Sequence, residues 1–255
     1  MARNRNRVGQ VLGGLVAFCC LLGQPASSIA SSLVLSPLRL SLATGQSISA
    51  LTVRNDGDEP VVIQLELTQW KQADGKDVYT ATTDVLATPP IFTIPAHNSQ
   101  LVRVGLRRGA DASIELSYRI FLQEVPPPPA PGFKGLRVAA RFGVPIFVAP
   151  LNAQESPAIA APSALSWQVV HASGRLVVRA KNAGAVHERV TALELTAPGL
   201  PTPLLHVQGT DYVLPGQSRD WLVDSEHAPA PGTPLHIVGI TDTGRAEADG
   251  VLPGP

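Results

Sequence analysis

The side chains best suited to chemistry are few and scattered. The six histidines, His97, His171, His187, His206, His227 and His236, form neither H-x-x-x-H nor H-E-x-x-H. In the latter spacing two imidazoles share one helix face and hold zinc. Both cysteines, Cys19 and Cys20, fall within the first thirty residues. Loss of that segment leaves no thiol to serve as nucleophile, metal ligand or disulfide partner. There is no G-x-S-x-G elbow and no nucleotide-binding glycine fingerprint. Asp56 and Asp58 sit on the turn Asn55-Asp56-Gly57-Asp58, where such residues are favoured for backbone reasons. His187-Glu188 reads as a neighbour pair on an exposed strand edge or loop. The expectation is a protein that is not an enzyme, with no metal, no cofactor and no small-molecule substrate.

What the chain does offer is main-chain chemistry. Leu136, Val138, Ala140, Phe142, Val144, Ile146 and Val148 fall at every second position, separated by Arg137, Ala139, Arg141, Gly143, Pro145 and Phe147. A period of two marks a strand, and this run far exceeds the usual ~5–6 residues. A free strand edge supplies hydrogen bonds to an added strand, and its alternate side chains fill pockets. Left bare, an apolar edge of this length is an aggregation site. The first half, Leu136 to Phe142, is expected to meet another chain. The second half, Val144 to Val148, is expected to pack its own core.

The elements that would carry this strand are all β. Pro and Gly, 24 and 22 of 255 residues, punctuate short runs of Val, Ile, Leu and Thr, as in sandwiches and barrels. Leu33 to Leu42 reads as a first strand in which Pro37 forces an edge or a switch between sheets. Ile48 to Arg54, Val61 to Trp70, Ile91 to Ile94, Gln100 to Leu106 and Ser117 to Val125 follow. Pro126 to Pro131 makes a stiff loop before the long strand. Further strands are expected at Leu165–Val170, Arg175–Lys181, Val190–Leu195, Leu204–Val207, Arg219–Val223 and Leu235–Thr241. Each half has the size of an immunoglobulin-like sandwich of ~100 residues.

Residues 1–30 read as a cleaved signal peptide. Arg3, Arg5 and Arg7 precede the short apolar run Val11 to Leu22, and Ser28-Ile29-Ala30 supplies a cleavage site. That run is shorter than the roughly 20 residues of a membrane span. Removing those three arginines from 20 basic and 20 acidic residues leaves an excess of three acidic charges. This is no footprint of a nucleic-acid binder. The expected organisation is a first domain over 31–150, a linker over 151–162 and a second domain over 163–255, in an exported, periplasmic protein.

Four stretches resemble the periplasmic chaperones of the chaperone–usher pilus pathway. They are Leu35-Ser36-Pro37-Leu38-Arg39, Ala87-Thr88-Pro89-Pro90-Ile91-Phe92 through Gln100-Leu101-Val102-Arg103-Val104, Tyr118 to Pro126, and Arg141-Phe142-Gly143-Val144-Pro145-Ile146-Phe147-Val148. The second half matches more loosely, through Lys181-Asn182-Ala183-Gly184 and Thr241-Asp242-Thr243-Gly244. The resemblance implies an all-β chain of two immunoglobulin-like domains in an L-shaped arrangement. Its clients would be pilus subunits whose own sandwich lacks a strand, delivered later to an outer-membrane usher. Free molecules would be able to cap themselves as homo-oligomers.

By that resemblance Leu136, Val138, Ala140 and Phe142 are the donor residues. The subunit's C-terminal carboxylate would be held in the cleft by arginine, whose planar fork matches it. Arg39 stands at the place of the family's first-strand arginine. The better-known branch has a lysine where this chain has Pro145, so the usual pair is absent. Arg119, in Tyr118-Arg119, fits the divergent, archaic-type branch and is the leading anchor. Arg39 is second, and Arg141 and Arg103 are supporting candidates. The competing reading is a secreted structural or adhesive sandwich, such as a pilus component. In such a subunit the alternating motif would lie at the mature N-terminus, whereas here it lies mid-chain. A secreted hydrolase on a sandwich finds no motif.

Overall fold

Pro37 divides the expected first strand, and the two pieces join different sheets. β1 (Leu33–Ser36) pairs antiparallel with β3 (Ile48–Asn55), while β2 (Leu40–Leu42) lies parallel to a strand more than a hundred residues later. A computed structural model describes residues 33–128, 132, 138–152, 163–223 and 229–254. The expected signal peptide and nearly all of the expected linker lie outside those residues.

After β3 come β4 (Val61–Ala73), β5 (Lys76–Ala81), β6 (Val85–Thr88), β7 (Ile91–Ile94), β8 (Ser99–Leu106), β9 (Leu116–Glu124) and β10 (Arg141–Val148). One sheet has the order β1-β3-β8-β6, the other β2-β10-β9-β4-β5 with β7 also on β4. The period-two pattern explains the core between them. Leu51 and Val53 face inward from β3, Val102 and Val104 from β8, Ile120 and Leu122 from β9, and Val144, Ile146 and Val148 from β10. At roughly 1.5–3 kcal/mol per fully buried aliphatic side chain, this cluster is the main stabilising element of the first sandwich.

The second sandwich uses β11 (Leu165–Ala172), β12 (Arg175–Asn182), β13 (Glu188–Thr196), β14 (Leu205–Val213), β15 (Ser218–Leu222), β16 (Pro234–Thr241) and β17 (Gly244–Val251). Its sheets are β11-β12-β15 and β14-β13-β16-β17. Trp167, Val178, Leu193, Leu195 and Ile237 are among its core residues. The architecture is therefore two β-sandwiches, and no described residue is helical.

Each sandwich closes a turn with a fully buried asparagine. Asn55 Nδ2 donates to Glu59 O at 2.7 Å and its Oδ1 accepts from Gly57 N at 3.0 Å. Asn182 repeats the device, donating to Val186 O at 2.8 Å and Val213 O at 2.9 Å and accepting from Gly184 N at 2.7 Å. A buried amide is tolerated here because its donors and acceptor are used.

β4 changes its buried face midway. Val61 and Ile63 point into the first core, but Thr68, Trp70 and Gln72, of opposite parity, are the buried residues further along. The second set faces the other sandwich. Trp70 there joins Phe147, Leu214 and Tyr212 in a small apolar cluster.

Candidate functional site

β10 is the element on which the candidate site is built. On one side it pairs with β9 along its whole length, Arg141 opposite Gln123 through Val148 opposite Leu116. On the other it meets β2 only at Ile146, Phe147 and Val148. Arg141 to Pro145 thus present an edge with no strand partner among the described residues. The strand is shorter than the alternation suggests: Val138, Ala139 and Ala140 are not in it. Without a second strand to bond to, those main-chain groups gain nothing from extended pairing. Among the described residues, Ala140 is tied back, its O accepting from Glu124 N at 2.9 Å and its N donating to Glu124 Oε2 at 3.1 Å.

The four expected donor residues are placed differently. Val138 is 80% exposed, Ala140 is half-buried, and Phe142 packs partly against the first core. Leu136 lies outside the described residues. Val144, Ile146 and Val148 are buried in that core.

On the outward face of the same sheet, Arg119 is cross-strand partner of Pro145 on one side and of Thr68 on the other. Directly opposed side chains share a face with Cβ atoms about 4.5–5.5 Å apart. The guanidinium lies against two rings of the β4–β5 hairpin, its Cζ 4.9 Å from the Trp70 centroid and 5.7 Å from that of Tyr79. Its Nη1 donates to the Tyr79 hydroxyl at 2.8 Å and its Nη2 to Gly143 O at 3.5 Å. Its Nε is buried with no hydrogen-bond partner. Asp77 steadies the platform, accepting from Trp70 Nε1 at 3.0 Å and, more weakly, from the Tyr79 hydroxyl at 3.4 Å. Burial pushes the Tyr79 phenol above its ordinary value, so the hydroxyl stays protonated at neutral pH.

Arg39, exposed between β1 and β2, borders a cleft of about 430 Å³ whose other walls include Phe147, Glu115, His187, Asp242 and Thr243. Phe147 connects the two arginine positions. It lines this cleft and its ring lies 5.9 Å from Trp70, on which Arg119 rests. Arg141 stands further along, its Nη2 2.8 Å from Glu66 Oε2 and its Cζ 4.0 Å over the Phe121 ring. Arg103 does not join them. It is exposed on β8, in the opposite sheet.

Residues 32–154 match the N-terminal domain of the pili and flagellar-assembly chaperones, the PapD N-terminal domain. The first sandwich belongs to this family of chaperone domains. Solved structures agree in fold over both sandwiches. A chain from the CsuC–CsuE complex, a chaperone with a tip adhesion subunit from archaic Csu pili of Acinetobacter baumannii, is 20% identical with a TM-score of 0.65, covering 87% of this chain and 98% of that one. A chain from the Salmonella enterica SafA pilin–SafB chaperone complex is 20% identical with a TM-score of 0.59, covering 89% and 99%. The E. coli chaperone DraB is 23% identical with a TM-score of 0.55, covering 86% and 96%. No curated protein matches in sequence.

Several residues around the site of this chaperone escaped the sequence reading. His187-Glu188 is not an exposed pair. The His187 side chain is only 12% exposed, stacked on Phe147 at 3.6 Å between centroids, with Nδ1 2.7 Å from Glu115 Oε1. Glu188 is buried, accepting from Ser163 Oγ at 2.6 Å, Ala164 N at 2.5 Å and Thr243 Oγ1 at 3.1 Å. Their partners lie far away in the chain, so no local pattern marks them. Trp70 is partly marked, since an aromatic at the polar parity of β4 signals a second buried face, whereas Tyr79 on the polar strand β5 is not.

Proposed function

We propose that this chaperone captures a pilus subunit by adding a strand along the free edge of β10 and by holding the subunit's C-terminal carboxylate at Arg119. The observation that carries the reading is the open edge from Arg141 to Pro145 lying directly beside Arg119, which is opposite Pro145. An edge supplies main-chain bonds and an adjacent fork supplies charge-assisted bonds to a carboxylate. Val138 and Leu136 are the outermost donor side chains, Ala140 and Phe142 the inner ones. Arg39 is a second cation at the cleft. Arg141 supports the site only by exchanging its Glu66 partner.

The protein acts without catalysis or cofactor. Residues 1–30 export it to the periplasm, 31–150 form the donor domain, 151–162 the linker and 163–255 the domain that completes the cleft. It passes its client to an outer-membrane usher and caps its own edge in a homo-oligomer when free. An anchor on β9 in place of a lysine on β10 supports the archaic-type branch. Co-expression with the pilus subunit encoded in the same operon tests the whole reading. The expected product is a soluble one-to-one periplasmic complex, and its absence refutes strand donation.

A further inference from the structure

The Arg119 side chain occupies a place that only a glycine at position 143 leaves open. Gly143 is cross-strand partner of Phe121, one row from the Pro145–Arg119 pair. A Cβ built on Gly143 would stand 2.9 Å from Arg119 Nε and 3.0 Å from Phe121 Cε1. Gly143 therefore serves close approach of a side chain, a recognised use of glycine within a strand. On the other flank, Tyr79 meets Phe121 edge-on at 5.2 Å and 87°, and its hydroxyl accepts from Nη1.

These contacts constrain the guanidinium on two sides. The Gly143 side admits Nε, the Tyr79 side takes one N–H of Nη1, and the Trp70 and Tyr79 rings flank its plane. The described bonds use one N–H on each terminal nitrogen, and guanidinium has two on each. One N–H on each terminal nitrogen is thus left for a carboxylate, the group a guanidinium can take in bidentate geometry.

We infer that Gly143 and Tyr79 are positioning residues that set the Arg119 guanidinium in the orientation required to take a subunit's terminal carboxylate. The inference rests on the anchoring role proposed for Arg119. It adds that the anchor works only when held: a free arginine at that position loses rotamer freedom on binding and engages a carboxylate less well.

Gly143→Ala, Tyr79→Phe and Arg119→Ala are compared in the full chain for capture of the same-operon subunit. The subunit is supplied with its native C-terminus and with a histidine tag appended there. Gly143 has an ordinary strand backbone, so alanine is compatible with the fold, and Tyr79→Phe keeps the ring. Both variants are expected to melt within a few degrees of the parent. Both should lose capture of the native subunit by about tenfold or more, as removal of a charged hydrogen-bond geometry implies. Both should also lose the preference for the native terminus over the tagged one. Gly143→Ala combined with Arg119→Ala should be no worse than Arg119→Ala alone. Parental capture and preference in both positioning variants, with capture lost in Arg119→Ala, overturns the positioning role and leaves the anchor standing. Parental capture by Arg119→Ala overturns the anchor and the inference together. If Gly143→Ala does not fold, Tyr79→Phe decides alone.

Discussion

At the scale of single residues, the proposed anchor depends on the type of cation as much as on its charge. Arg119 lies between a hydroxyl, a carbonyl and two rings, a setting suited to a flat, delocalised group. A lysine there would keep the charge but lose the stacking and the fork. Arg119→Lys is therefore expected to weaken subunit capture about ten- to a hundredfold, the value of one or two charge-assisted hydrogen bonds. Its melting temperature should stay near that of the parent, because Arg119 lies outside the buried apolar clusters of the first sandwich. Pull-down of subunit at graded expression, beside thermal melts of the free protein, checks both halves. The expectation that Arg119 is the anchor rests on the resemblance of Tyr118-Arg119 to the divergent branch. Pro145 removed the expected lysine from β10, and the register then places Arg119 beside that position.

At the scale of elements, the alternating run that ends in β10 is two things in one stretch of chain. Val144, Ile146 and Val148 are core, whereas Val138 lies beyond the strand and is exposed. Ile146→Ala should cost about 2–5 kcal/mol of stability, as large-to-small changes in a packed core do, and lower capture only through unfolding. Val138→Asp should leave stability within about 0.5 kcal/mol yet abolish capture, since a carboxylate cannot enter an apolar groove unpaired. Unfolding titrations of the free proteins separate the two, and equal effects would refute the division. The period-two alternation announced the core half of β10 because its neighbours on both sides bury it. It overstated the strand's length, because pattern alone does not show where a partner strand ends. The same logic explains β1 and β2, where Pro37 marked the change of sheet. β5 and β17 were illegible: Lys76-Asp77-Val78-Tyr79 and Gly244-Arg245-Ala246-Glu247 are polar edge strands with almost no buried side. Edge strands are held mainly by ladder bonds, and these leave no hydropathy signal.

At the scale of the whole molecule, the two sandwiches are joined by polar contacts around an apolar centre. Gln72 is the most connected of these. Its Nε2 donates to Tyr212 O at 2.7 Å and to Asp77 Oδ1 at 3.1 Å, its Oε1 accepts from Leu214 N at 3.0 Å, and its main-chain N donates to Gln217 Oε1. Beside it, Arg219 bridges Asp77 and Asp211 at 2.9 Å each. Gly75 O accepts from Asp220 N at 3.0 Å, an approach that a Cβ on Gly75, 2.1 Å from Asp220 Cγ, would block. Gly75 also holds a left-handed φ of 72°, so two independent constraints select glycine there. Truncating Gln72 to alanine leaves the buried Leu214 N–H without an acceptor, at a cost of about 1–3 kcal/mol. That penalty falls on the junction and spares both cores, so it weakens the coupling between sandwiches more than either sandwich. Calorimetry should show the parent unfolding in one transition and Gln72→Ala in two, with the second near the parent's temperature. Capture should fall in the same variant, because Arg39 and Phe147 approach Asp242 and Thr243 across the cleft only while that junction holds. A single unshifted transition with full capture would show instead that the apolar cluster of Trp70, Phe147 and Leu214 suffices to fix the two sandwiches together.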